Sequence, residues 1–104
     1  MIPTPGRVVE YTLSEQDVEQ IKRRRDDARQ SMKDGTVGNT GFMLHVGNDV
    51  AEGETYPMVI TRTWGTTEGS SVNGQVLLDG NDTLWVTSVS EGDGPRHFRQ
   101  FPRV

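Results

Sequence analysis

The chain has 104 residues, a formal net charge of −4 and no cysteine, which excludes a disulfide framework, a thiolate metal site and a cysteine nucleophile. Its length suits one domain, residues 1–104, that buries enough surface to fold unaided. No apolar run reaches the length of a signal-peptide core or a membrane span, so we expect a cytosolic protein that does not enter a membrane.

The charge is distributed unevenly along the chain. Residues 35–94 contain eight acidic residues and one basic residue, Arg62, whereas residues 95–104 contain three arginines and no acidic residue. An acidic body repels phosphate backbones, which argues against a nucleic-acid partner.

A strand over residues 7–13 opens the predicted fold, and a helix over residues 14–34 follows it at once. Ser14 and Asp17 have the spacing of a capping box, in which each side chain bonds the backbone N–H of the other residue. The apolar stripe of the helix is interrupted by Arg25, so we expect the helix to lie on the surface of the core.

The basic run at residues 22–25 could meet phosphate groups or could be a solvated helix face. Arg23 has an acidic residue four positions away on each side, Glu19 and Asp27, a spacing at which ion pairs stabilise exposed helices. The acidic and basic residues of the helix are equal in number, which favours the solvated face. Arg23 and Arg24 are candidates for contact with a protein partner.

Four more strands are predicted after the helix. A glycine-rich segment, residues 34–41, lacks the flanking strand and helix that a phosphate-binding loop needs. Strands are predicted at residues 42–46 and 57–64. Residues 73–89 predict a β-hairpin, because an Asp-Gly turn at residues 79–80 separates two β-prone runs. As the densest apolar segment, this hairpin should form the centre of the core.

The hairpin turn does not predict a metal site. Asp79, Asn81 and Thr83 resemble the first ligands of an EF-hand loop. However, Leu84 replaces the required glycine, and Ser90 replaces the bidentate glutamate. We therefore expect neither a metal nor a cofactor.

Residues 95–104 form a basic tail with two aromatic residues three positions apart. The tail could clamp onto the acidic body of the same molecule, or it could face a partner. An exposed aromatic pair is unfavourable in a free monomer, which favours the clamp. The candidate partner-binding residues of the tail are Arg96, Phe98, Arg99, Phe101 and Arg103.

Five short strands separated by glycine-rich turns favour a mainly β fold, a small antiparallel barrel with one helix inserted after the first strand. SH3-like and OB-like barrels both fit, and we favour the SH3-like type. No βαβ alternation occurs, which argues against a parallel sheet. The edge strands of an open barrel could pair across a two-fold axis, so a homo-oligomer is a further hypothesis.

The segments GRVVEYTLSEQD, HVGNDV followed by YPMVITRTWG, and NGQVLLDGNDTLWVTSV together resemble a family of small proteins encoded by tailed phages of actinobacteria. The similarity extends over nearly the whole chain, and members of that family usually have no assigned function. The family tends to have an aromatic C-terminal segment, which Phe98 and Phe101 follow only loosely. The resemblance implies a phage product that acts in the cytoplasm of a bacterial host, and it implies no catalytic or binding residues.

Catalytic chemistry has little support in the sequence. His45 and His97 are far apart and lack the spacing of metal ligands. The serines lie in no nucleophile elbow, and paired carboxylates occur only in segments predicted to be solvated loops. We expect a protein that is not an enzyme.

Three functions fit these patterns. The favoured one is a phage accessory protein that docks on a host or phage protein through the helix or the tail. A protein that sequesters a nucleotide signal of the host is the alternative, with tryptophans stacking on the base, although packing is the simpler role for tryptophan. A minor virion component is the third. The candidate ligand-binding residues are Trp64, Trp85, His45, Asn48 and Arg62.

Overall fold

The computed structural model of the protein describes residues 1–33 and 47–102, with helix side chains up to residue 30. Within these ranges the elements are β1 (Val8–Thr12), α1 (Glu15–Lys33), β2 (Thr55–Thr63), β3 (Val72–Leu77), β4 (Thr83–Glu91) and β5 (His97–Arg99). The strands form a closed barrel in chain order. Every pair is antiparallel except β4 and β5, which run parallel.

The predicted fold class is confirmed. The molecule is a small closed barrel of five strands with one helix after the first strand, an architecture consistent with an SH3-like barrel. None of the helices in the described part of the chain has the length and apolar character needed to cross a membrane.

The strand that closes the barrel comes from the segment that the sequence suggested was a tail. β5 pairs antiparallel with Glu10 and Tyr11 of β1 and parallel with the end of β4. Three residues are too few to show an alternating pattern, because Phe98 is the one apolar residue among them. The predicted strand at residues 42–46 lies outside the described residues. Closure by β5 also removes, along the paired residues, the free edges on which the oligomer hypothesis relied.

The predicted hairpin is confirmed as β3 and β4. Val76 lies opposite Leu84 and Leu77 lies opposite Thr83 on the two sides of the turn. β3 begins at Val72, one residue before the predicted start of the hairpin, and β4 ends at Glu91, two residues after its predicted end. The hairpin supplies six of the fifteen buried apolar side chains among the described residues. The whole set is Val9, Tyr11, Leu13, Val18, Ile21, Val50, Met58, Ile60, Val72, Val76, Leu78, Leu84, Val86, Val89 and Phe98.

The turn of the hairpin uses glycine for close approach. Neither Gly80 nor Asn81 has the positive φ that glycine and asparagine often supply in hairpin turns. Instead, a Cβ atom on Gly80 would lie 2.7 Å from the Cα atom of Gly47, so a side chain there would collide with backbone. The turn therefore lies directly against the segment that leads into β2.

The helix begins as its sequence predicts. The Ser14 N–H donates to Asp17 Oδ2 at 3.0 Å, and the Asp17 N–H donates to Ser14 Oγ at 3.1 Å, which is the reciprocal bonding of a capping box. Asp17 also accepts a 2.6 Å hydrogen bond from the buried Tyr11 hydroxyl. Burial and the neighbouring Asp17 carboxylate both raise the pKa of Tyr11 well above its ordinary value. This bond ties the helix start to β1.

Candidate functional site

The basic tail is bound to the body of its own molecule. Phe98 is 1% exposed and belongs to the core, so it is not accessible to a partner in this structure. Arg99 donates to Glu10 Oε1 at 3.0 Å and 3.3 Å through two of its nitrogens. Arg96 donates to the carbonyl of Thr87 at 3.4 Å. The structure thus has the intramolecular clamp, formed by one aromatic residue and two arginines.

The end of the tail is more open. Phe101 is 45% exposed and remains accessible, whereas Arg103 lies outside the described residues. The side chains of Arg96 and Arg99 are each about half exposed, at 48% and 52%. Each of them nevertheless lies within ion-pair distance of a carboxylate of the same chain. A partner that approached the tail would therefore compete with existing ion pairs.

The basic run of α1 divides into a solvated part and a bonded part. Among the ion pairs of the described residues, Arg23 does not join the predicted partners Glu19 and Asp27, and its side chain is exposed. Arg24 donates to Asp82 Oδ2 at 3.1 Å, across to the hairpin turn. The sequence pattern predicted ion pairs along the helix for Arg23 and made no prediction for the pairing of Arg24, whose partner lies outside the helix.

The contacts of Arg25 explain why a charged residue interrupts the apolar stripe of α1. Arg25 is 5% exposed, and its Nε and Nη2 atoms donate to the two carboxylate oxygens of Asp82 at 3.0 Å each. Its Nη1 atom donates to the backbone carbonyl of Asn48 at 2.6 Å. Burial raises the pKa of Asp82, but the bonds from Arg25 and Arg24 outweigh it and hold that pKa below its ordinary value. We call this junction of Arg24, Arg25, Asn48, Asp79 and Asp82 the helix–hairpin latch.

Asn48 belongs to this latch and not to a ligand site with the tryptophans. Its Nδ2 atom donates to Asp79 Oδ2 at 2.6 Å, and its backbone N–H donates to the Asp79 carbonyl at 2.9 Å. His45, the other predicted polar contact, lies outside the described residues. The proposed nucleotide-binding set is therefore not assembled at one place by the described part of the chain.

A partly open cavity of about 230 Å³ lies beside the latch. Its volume is below the roughly 300–1,000 Å³ typical of small-molecule sites, and no aromatic residue lines it. Its lining mixes basic and acidic side chains: Lys22, Arg25, Asp26, Arg29, Asp49 and Val50. Stacking of a nucleotide base has no support there.

Both tryptophans lie on the outer surface of the barrel, so neither packs in its core. Trp64 is 55% and Trp85 is 58% exposed. In β4 the neighbours of Trp85, Leu84 and Val86, are buried, so strand alternation points Trp85 outward. That alternation was readable in the sequence and could have predicted the exposure.

The two tryptophans share one face because both lie along the outer row of β3. In this strand Val72, Gly74 and Val76 are buried, and Gln75 and Leu77 lie on the outer side; Asn73 is in line with them but is itself buried. Trp64 Nε1 donates to Asn73 Oδ1 at 3.1 Å, and Trp85 is the register partner of Gln75. We call this surface the tryptophan face; its residues are Arg62, Trp64, Asn73, Gln75, Leu77 and Trp85.

Two register irregularities build the Trp64 end of the face. The pairing of β2 with β3 shifts between Ile60 and Arg62, and the pairing of β3 with β4 shifts between Val72 and Gly74. Asn73 is 7% exposed and its Oδ1 atom also accepts from the backbone N–H of Ser88 at 2.9 Å. The buried Asn73 amide therefore accepts a hydrogen bond from the Ser88 N–H where the strand pairing is irregular, and it also orients the Trp64 indole.

Cations and neutral polar groups surround the two rings differently. The Arg62 guanidinium lies over the Trp64 ring, 4.1 Å from its centroid, which is a cation–π contact. Trp85 has no cation over its ring among the described residues. Beside it, Gln75 is held by a 3.1 Å hydrogen bond from the Thr83 hydroxyl to Gln75 Oε1.

The described residues contain no group of three or more metal-binding side chains, and their buried side-chain nitrogen and oxygen atoms all have hydrogen-bond partners. Comparison of the chain with protein-family models, with curated proteins and with solved structures gave no match. The resemblance to phage proteins therefore stays a prediction.

Proposed function

We propose that the chain is a non-enzymatic binding module, an accessory protein of a phage, that docks on a host or phage protein through the tryptophan face. One observation carries this proposal: two tryptophans, each more than half exposed, flank the outer row of β3 in a closed barrel. Leu77, in that row, is also 42% exposed. Large aromatic side chains left in water on a rigid sheet are typical of the residues that dominate protein–protein binding energy.

The composition of the face supports a protein partner. Tryptophan and arginine are enriched at protein interfaces, and Arg62 stacks on Trp64 within it. The residues between the rings, Asn73 and Gln75, are neutral and already hydrogen-bonded. Apart from Arg62, whose guanidinium stacks on Trp64, the face can therefore be desolvated without burying a charge.

The test compares capture of proteins by C-terminally tagged baits from a phage-infected actinobacterial lysate. Trp85→Ala removes one ring of the face, and Phe101→Ala removes an exposed aromatic of the tail as the matched control. We expect Trp85→Ala to lose the protein that the unaltered chain and Phe101→Ala both retain. Equal capture by all three baits would contradict the proposal, and loss only with Phe101→Ala would move the docking surface to the tail.

Analysis of purified phage particles by mass spectrometry separates two forms of this function. We expect the chain to be absent from particles, as an accessory protein that acts in the host cytoplasm would be. Its presence there would make the partner a structural protein of the virion.

A further inference from the structure

We propose that Trp85 receives a positively charged side chain of the partner, an arginine above all, so that the partner presents a basic segment to the tryptophan face. This inference rests on the docking function proposed above and specifies the chemistry of the partner.

The first support is the other ring of the same face. Trp64 already has a guanidinium at 4.1 Å from its centroid, supplied by Arg62. Arg62 is the only basic residue in residues 35–94, and it is used at this ring. Among the described residues no second arginine lies over the ring of Trp85, which is the more exposed of the two tryptophans.

The second support is charge. Outside α1, the described residues 1–14 and 47–102 carry nine acidic residues against four arginines. A basic segment is attracted to such a body from a distance, and an acidic one is repelled. Docking on the acidic body therefore brings positive side chains to the tryptophan that, among the described residues, has no cation over its ring.

The third support is the immediate surroundings of Trp85. Its register partner Gln75 and the neighbouring Thr83 are neutral and bonded to each other. Asp82 is the acidic residue nearest to Trp85 in the sequence, and its carboxylate accepts hydrogen bonds from Arg24 and Arg25 in the latch. Asp79, the other acidic residue of this turn, accepts a hydrogen bond from the Asn48 amide in the latch. The indole ring is the strongest cation–π acceptor among side chains.

The experiment follows the two indole N–H signals by NMR, which is practical because the chain has only two tryptophans. Trp64→Phe and Trp85→Phe assign the signals. The probes are a capped peptide of alternating arginine and threonine and the same peptide with citrulline in place of arginine, which keeps the shape and removes the charge. We expect the arginine peptide to shift the Trp85 signal several-fold more than the Trp64 signal, and the citrulline peptide to shift neither.

Charge variants beside the ring provide a second readout. Gln75→Glu should strengthen the response of Trp85 to the arginine peptide, and Gln75→Lys should weaken it, in both cases with an unchanged melting temperature. Equal shifts from the two peptides, or no response to either substitution, would overturn the inference. A Trp85 signal that shifts with protein concentration alone would also overturn it, because the ring would then bind a second copy of the chain. So would a stronger response to oligothymidylate than to the arginine peptide, because the ligand would then be a nucleic acid.

The outcomes separate this inference from the function on which it rests. If the Trp85→Ala bait loses the partner but the arginine peptide does not shift the Trp85 signal, the face is a docking surface. The inference that Trp85 binds a cation of the partner is then wrong. If that bait retains the partner, the docking function itself fails, whatever the peptides do.

Discussion

The helix–hairpin latch buries a charged side chain, whereas the tryptophan face exposes a large apolar one. At the latch a charged residue, Arg25, is buried and all three of its donor nitrogens bond within the chain. On the tryptophan face a large apolar residue, Trp85, is left mostly in water. A buried charge that is fully bonded holds the fold together, whereas an exposed ring without a partner is available to another molecule.

This difference predicts that the latch governs stability and the face governs binding. The two can be tested separately because the described structure places no direct hydrogen bond or ion pair between their residues. Substitutions at the latch should lower the free energy of unfolding and leave the chemistry of the face intact. Substitutions of the exposed tryptophans should weaken binding and leave the free energy of unfolding nearly unchanged, whereas the buried Asn73 beneath them contributes to stability.

The largest effect is expected from Asp82→Ala. This substitution leaves the Arg25 guanidinium buried without its bidentate partner, and removal of one member of such a pair costs about 3 kcal/mol of unfolding free energy. Denaturant unfolding measures the loss. The control is Asp26→Ala, which removes the exposed pair with Arg29 and should change stability by about 0.5 kcal/mol or less. Similar losses in the two variants would mean that the latch is no stronger than a surface ion pair.

Asn73→Ala should have the next largest effect, about 1–2 kcal/mol, because the backbone N–H of Ser88 loses its acceptor. Asn73→Asp keeps an acceptor oxygen at the same place and should recover most of the loss. Asn81→Ala, at an exposed turn position, is the matched control and should be nearly neutral. Thermal unfolding compares the three. A neutral Asn73→Ala would show that this amide does not support the irregular pairing beneath the face.

Acidic pH should weaken the latch in a defined direction. The pKa of Asp82 is lower in the folded chain than its ordinary value, so the ionised carboxylate favours folding. Its stabilisation is complete above the ordinary carboxyl pKa of about 3.9 and is lost as the pH falls through the lower folded-state value. The melting temperatures of the unaltered chain and of Asp82→Asn should therefore differ most above about pH 4 and converge below it. A constant difference down to strongly acidic pH would contradict the role of this charge.

The sequence predicted the barrel better than it predicted the two surfaces. Local signals were sufficient for the capping box at Ser14 and Asp17 and for the hairpin, because these depend on residues close in the chain. The pairing of Arg25 with Asp82 spans 57 positions, and no local pattern indicates it. β5 was missed because its pairing with β1 depends on the closed barrel and not on its own three residues.

The tryptophans were misjudged for a different reason. Tryptophan is a highly buried residue type on average, and the prediction of a packing role relied on that preference. The alternation of Leu84, Trp85 and Val86 along a strand predicts instead that the Trp85 ring points outward. The candidate ligand residues were chosen by chemical type, and the fold brings Arg62 to Trp64 but leaves Asn48 in the latch. Residue type alone could not have separated these two outcomes.

The smallest effect on stability is expected from Trp85→Ala, and it is the most informative about function. The ring is 58% exposed and has no hydrogen bond among those of the described residues, so its removal should change the free energy of unfolding by about 0.5 kcal/mol or less. Val86→Ala, one residue further along β4 and 3% exposed, should lose about 1–3 kcal/mol by opening a cavity. Thermal unfolding of the two variants, run beside the capture experiment, gives the comparison. A Trp85→Ala chain as unstable as Val86→Ala would place this ring in the fold and remove it from the binding surface.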